Sequence, residues 1–282
     1  MAFKKSASPS PSTWDLIDQT TIISLFSTVA ILGAAWGLSK VVLDKHTSNR
    51  SRLLFIWHAF DALIHFVLEG SFVYHCLFSS TEVRNVKGLD YWPDPEGFLG
   101  RGLGNGRGRW VRVGGAQAGG ENVMAKLWMV YAKADRRWAG VDLTVLSIEI
   151  ITVVFAGAMA VLVCYDIAKR NPRKNLVMII LATAEIYGGY MTFMPEWLSG
   201  SNNLDTSNFM YTYIFLAFFN GLWVVIPAYA IYVASQDILN AYKARDAWYG
   251  GKSASRRDKA ERDSDAASIT SSVKEKRSRK EK

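Results

Sequence analysis

Cysteine is nearly missing: two residues in 282, Cys76 and Cys164, both at the ends of apolar segments. Two thiols placed this way give no disulfide framework. Nucleotide motifs are missing too. The one glycine-dense stretch, GFLGRGLGNGRGR, lacks a preceding strand, a Gly-Lys-Ser/Thr end and a helix in register after it, so it is no phosphate loop. The chain is basic, with net charge +8, but no nucleic-acid fold signature goes with the charge. No apolar run follows Lys4 and Lys5 promptly, and no small-residue cleavage site is evident. Residues 1–19 therefore read as a polar N-terminal segment rather than a cleavable signal. Internal repeats, the usual mark of a transporter, are not seen.

What is present is apolar and segmented. Half of the residues are hydrophobic, and they gather into five runs near the ~20 residues that span a bilayer. These are Thr20–Val42, Leu53–Phe78, Leu143–Tyr165, Leu176–Met194 and Phe209–Ser235, the last with no charge at all. The pattern predicts an all-α integral membrane protein, a five-transmembrane-helix bundle with an intramembrane cavity. Its parts are a first transmembrane helix over 20–44, a four-helix region over 53–236 with a Gly-rich loop insertion at 84–120, and a basic tail over 237–282. The tail holds 13 Lys/Arg against 8 Asp/Glu and is expected to be disordered. Glu121–Val141 is aromatic and amphipathic, and reads as an interfacial helix. Lys45, Arg50 and Arg52 lie in one short loop, and Lys169, Arg170, Arg173 and Lys174 in another. The positive-inside rule puts both loops and the C-terminus in the cytosol.

Titratable groups inside the apolar runs stand out. Asp61, His65 and Glu69 follow at four-residue spacing in the second run, Glu149 sits in the third and Glu185 in the fourth. Each costs roughly 2.5–3.5 kcal/mol at bilayer depth unless it is paired or lines a cavity, so the expectation is that they meet. A polar ladder between helices is the structural alternative. His58, Asp61 and His65 have helical spacing for a metal, but with His75 as the only other histidine in the apolar core no metal is expected. A buried glutamate such as Glu149 can serve as a proton donor, and an imidazole can relay its proton. Thr152 follows Glu149 on the same face. Asn220 and Trp223 are three apart on the fifth run, and the Trp223 π face suits a transient cation.

These residues carry a resemblance. IHFVLEGSFVY (Ile64–Tyr74) is similar to the His-x-x-x-Glu-Gly element of the emopamil-binding protein family, the EXPERA-domain membrane proteins. KLWMVYAKADRRW running on to IEIIT, then EIYGGYMTFMPEW and FFNGLW, follow in the family's order. The resemblance implies 3β-hydroxysteroid Δ8–Δ7 isomerisation in the endoplasmic reticulum membrane, without a cofactor. It also implies a sterol-sized cavity, with His65, Glu69 and Glu149 as catalytic residues and Thr152, Asn220 and Trp223 as cavity residues. The partners implied are a sterol or other terpenoid substrate and the bilayer, with a homodimer left open. Asp61 and Glu185 depart from the family's animal isomerases, where uncharged residues stand, and the Gly-rich insertion has no counterpart there. Both acids are taken as candidate substrate-binding groups. The departures keep two alternatives in view: isomerisation or cyclisation of another terpenoid, and ligand binding without catalysis.

Overall fold

A computed structural model describes residues 19–84, 90–102 and 110–278. Residues 1–18, residues 85–89 and 103–109 of the Gly-rich insertion, and residues 279–282 lie outside the described residues. Five helices among them are long and apolar enough to span a membrane. α1 is Gln19–Val42, α2 Asn49–Phe78, α3 a short helix at Val123–Tyr131, α4 Leu143–Ala168 and α5 Arg173–Ser199. α6, Asn220–Ser278, continues directly from a π-helical segment, Met210–Phe219. The chain is an all-α integral membrane protein.

α2 is the most buried of the five, and it packs chiefly against α1 and α4. Its apolar contacts join Phe55, Phe60, Leu68 and Phe72 to Val145 and Val163 of α4 and Met178 of α5. Along α1 the large side chains point outward: Ile22, Phe26, Val29 and Trp36 are exposed, as are Ile151, Phe155 and Val161 on α4. An exposed apolar belt of this kind is what a lipid solvent requires, since every backbone group is satisfied inside the helices.

The short basic loops are fastened by arginine. Arg52 donates to the carbonyls of Ser39 (2.7 Å) and Asp44 (3.1 Å), tying the start of α2 to the end of α1. Arg173 clasps the fully buried Asp166 with two bonds of 2.8 Å.

Two stretches differ from their sequence reading. The ends of the Gly-rich insertion pair as an antiparallel hairpin, β1 (Ser80–Arg84) with β2 (Trp110–Gly114), with Ser80 opposite Gly114. Behind β2 the chain packs so closely that a Cβ on Gly115 would lie 2.6 Å from the Gly140 carbonyl oxygen, and Gly115 has a positive φ of 80°. The interfacial helix is also shorter than Glu121–Val141. α3 stops at Tyr131, and a turn then carries Asp135 and Arg137 into the interior. Arg137 pairs with Asp135 through bonds of 2.9 and 2.6 Å and donates to the Thr192 carbonyl at 2.7 Å. Its Nε is 3.7 Å from Glu196, whose carboxylate also holds Asn203. These charges form a clamp joining this turn to the end of α5. Burial raises the Asp135 carboxyl against the pull of Arg137.

Residues from Ser235 onward form a unit of their own, helical through Ser278, and the side chains described from Leu239 to Ser264 are exposed.

Candidate active site

Three π-helical segments lie where the candidate residues are. Ile64–Glu69 interrupts α2 and contains His65 and Glu69. Thr152–Ala156 interrupts α4 directly after Glu149. Met210–Phe219 ends at Asn220. A π segment shifts the hydrogen bonds to i→i+5, and such bulges gather at functional sites. The first two are each followed by a glycine. A Cβ on Gly157 would stand 2.9 Å from the Phe66 ring and 3.3 Å from His65 Cβ. Gly157 therefore lets α4 press against the segment that holds the histidine.

The titratable side chains meet in one chain of contacts. His65 Nδ1 is 2.5 Å from Glu69 Oε2. Thr152 Oγ1 donates to the same oxygen at 2.7 Å and stands 3.3 Å from Glu149 Oε2. The Glu69 and Glu149 carboxyls are within hydrogen-bonding reach of each other. Two carboxyls this close, joined through the Thr152 hydroxyl, have the geometry for sharing one proton as a dyad. On its other side, His65 Nε2 is 3.1 Å from Asp61 Oδ1, and Asp61 is in reach of Glu185. Atoms of Asp61, His65 and Glu185 lie within 4.8 Å of one another, a trio that has the donor types for a metal ion. His58 is not in that trio; its ring bonds the Leu54 carbonyl at 2.7 Å.

A cavity of about 950 Å³ opens beside this chain, near the top of the roughly 300–1,000 Å³ usual for small-molecule sites. His65, Glu69, Glu149, Thr152, Glu185, Asn220 and Trp223 all line it. Asp61 does not. It is fully buried behind the wall, where it accepts a bond of 2.9 Å from the Trp223 indole. Asn220 turns its amide to the carbonyls of Phe215 (3.0 Å) and Leu216 (2.9 Å) and to the Tyr131 hydroxyl (3.0 Å). It thereby caps the end of the third π segment. The rest of the wall is mainly apolar and aromatic, with hydroxyls of Ser24, Thr28, Thr192, Ser201, Thr206 and Thr212 among the lining side chains.

That aromatic wall includes residues the sequence reading did not single out. Trp128 and Trp138 stack with centroids 4.8 Å apart, and Tyr131 stands edge-on to both. All three line the cavity. Burial pushes the Tyr131 phenol up, so it stays neutral. Trp128, Tyr131 and Trp138 fall within KLWMVYAKADRRW, where their aromatic spacing was the available signal. Their π faces and the carboxyls offer electron-rich surroundings to a short-lived cation.

Residues 123–234 match the model of EXPERA, the EXPanded EBP superfamily. A probable 3-beta-hydroxysteroid-Delta(8),Delta(7)-isomerase of Arabidopsis thaliana is 27% identical over 75% of this chain and 77% of its own length. The enzyme of that name from Cavia porcellus is 23% identical over 83% of this chain and 84% of its own. A protoglabretal synthase of Citrus sinensis is 24% identical over 71% and 76%.

Proposed function

Because the chain belongs to the EXPERA superfamily, we propose that it is an intramolecular isomerase that moves a sterol ring double bond from Δ8 to Δ7. The observation that carries this reading is the Glu69–Glu149 dyad, braced by Thr152 and His65, on the wall of an apolar cavity. The substrate double bond has no neighbouring carbonyl, so no enolate can form. A proton must be added to one alkene carbon and another removed from the ring carbon on the far side of the cation so formed. The dyad holds the first proton. As the new C–H bond forms, the π pair is used up and positive charge develops on the ring. Glu69, the aromatic wall and Trp223 stabilise that charge in a cavity with a mainly apolar wall. Loss of the neighbouring proton to a carboxylate leaves its electron pair as the new double bond. Acid, base and cation stabiliser are all side chains, so the reading calls on no cofactor. We place the enzyme in the endoplasmic reticulum membrane with its basic loops and C-terminus in the cytosol, as the Lys/Arg placement supports.

The test is conversion of a Δ8 sterol by microsomes from isomerase-deficient yeast that express this chain. The Δ7 sterol should form, and Glu149→Gln should reduce conversion at least about 10²-fold, the usual contribution of a positioned acid. A wild-type chain that expresses well, binds a lipophilic amine and leaves the Δ8 sterol unchanged would refute the substrate. A second reading, isomerisation or cyclisation of another terpenoid, is favoured by Asp61 and Glu185 and by the likeness to the protoglabretal synthase.

A further inference from the structure

The dyad is half of a longer arrangement. His65 has a nitrogen on each side, one at Glu69 and one at Asp61. Each of these carboxyls stands beside a second one: Glu149 meets Glu69 at the Thr152 hydroxyl, and Glu185 lies within 4.8 Å of Asp61. The outer members, Glu149 from α4 and Glu185 from α5, both line the cavity. Glu185 is buried, and its Oε1 has no hydrogen-bond partner. A buried acceptor left without a partner costs about 1–3 kcal/mol, and here it stands in the wall of a substrate-sized space. Asp61 is held from behind by Trp223, which fixes the carboxyl that Glu185 leans on. The isomerisation moves protons at two ring carbons, and a single dyad has to serve both.

We propose that Glu185 is a second catalytic residue, the group that removes the proton, with Asp61 as its positioning residue and His65 joining the two carboxyl pairs. The proposal rests on the isomerase reading above. In the step, a proton passes from the Glu69–Glu149 dyad to one alkene carbon, and the C–H bond forms with the π electrons. The other alkene carbon is left cationic; a C–H bond on the ring carbon next to it then breaks, its electron pair becomes the new double bond, and the proton passes to the Asp61–Glu185 pair. His65 returns it: the ring takes a proton at Nε2 and gives one from Nδ1 to Glu69, and proton exchange with water that enters as the product leaves, one proton lost at Nε2 and one gained at Nδ1, restores the first tautomer. Atoms and charge balance, and no water is consumed. Glu185 thus sets where the cation is quenched, and so which double bond results.

The experiment compares the full-length wild type with Glu185→Gln and Asp61→Asn in microsomes. Product and kcat are measured, with lipophilic-amine affinity and thermal stability in detergent as controls. Glu185→Gln should lose about 10²-fold in kcat, or release a different double-bond isomer, with amine affinity and stability unchanged. Asp61→Asn, which keeps the bond to Trp223, should lower kcat with KM unchanged. Glu185→Gln within threefold of wild type, with the same product, overturns the proposal. If Glu185→Gln does not fold, Glu185→Asp replaces it, and wild-type kcat in that shortened acid overturns the proposal as well. If the wild type leaves the sterol unchanged, the isomerase reading fails by itself. Infrared spectra in H2O and D2O then decide the proposal. Loss of one deuterium-sensitive protonated-carboxyl band in Glu185→Gln supports a second proton-holding pair, and an unchanged band count overturns it.

Discussion

Thr152→Val is the sharpest probe of the site because it keeps the shape and removes one hydroxyl. Thr152 Oγ1 reaches Glu69 Oε2 at 2.7 Å, the oxygen that also faces His65. Its alternatives, the Glu149 carbonyl at 3.0 Å and Glu149 Oε2 at 3.3 Å, are longer. A hydrogen bond to a charged group contributes about 1.5–3 kcal/mol. In the resting dyad the Glu69–Glu149 proton compensates part of its loss. Once that proton has left for the substrate, Glu69 is a carboxylate with one donor fewer. The loss therefore falls mainly on the transition state, and at about 1.4 kcal/mol per tenfold it amounts to roughly 10- to 100-fold in kcat. KM should move little. Sterol turnover in isomerase-deficient yeast microsomes is the assay, with lipophilic-amine binding to confirm an intact cavity. Thr152→Ser, which restores the donor, should recover most of the activity. A valine variant within twofold of wild type, or a serine variant as poor as valine, would show that the hydroxyl does not act through Glu69.

Two further predictions concern stability. Arg137→Ala leaves Asp135 and Glu196 buried without their cation and should cost about 3–5 kcal/mol, read as a lower melting temperature in detergent. Arg137→Lys cannot reproduce the two-bond clasp on Asp135 and should recover only a minor part. Asp94 is almost fully buried behind Gly114, with Arg101 no nearer than 3.8 Å. Burial raises its carboxyl above the usual range. A raised acid favours the folded state below its ordinary value, and that contribution is lost as pH rises through the raised one. Asp94→Asn should therefore leave the melting temperature at neutral pH unchanged or higher, and should flatten its fall between acid and neutral pH. A steeper fall in the variant refutes this.

The fold was readable because lipid imposes a simple rule: a helix must be long and apolar, and hydropathy along the chain reports both. The meeting of Asp61, His65 and Glu69 was readable too, since four-residue spacing keeps groups on one helix face. The clamp of Asp135, Arg137 and Glu196 was not, because its partners lie some 60 residues apart and a charge in an amphipathic stretch looks the same whether water or a carboxylate receives it. The position of Asp61 behind the wall could not be told from spacing either. It depends on how α2 is turned against Trp223, and that is set by packing. The π segments were hidden for a different reason, since they keep the composition of the helices they interrupt.

Those segments bear on how such a site can be gained or lost. A helix that changes from i→i+4 to i→i+5 bonding holds one more residue than its regular form, and each residue turns an α-helix by about 100°. Removing one residue from Ile64–Glu69 would let the segment close into a regular helix, keeping the flanking turns in place but turning residues within the segment by as much as about 100°. Length, not identity, then becomes the inherited variable. A lineage that leaves this chemistry by a single deletion cannot return through point substitutions, and one that has never had the additional residue can carry every acid and still not bring them together.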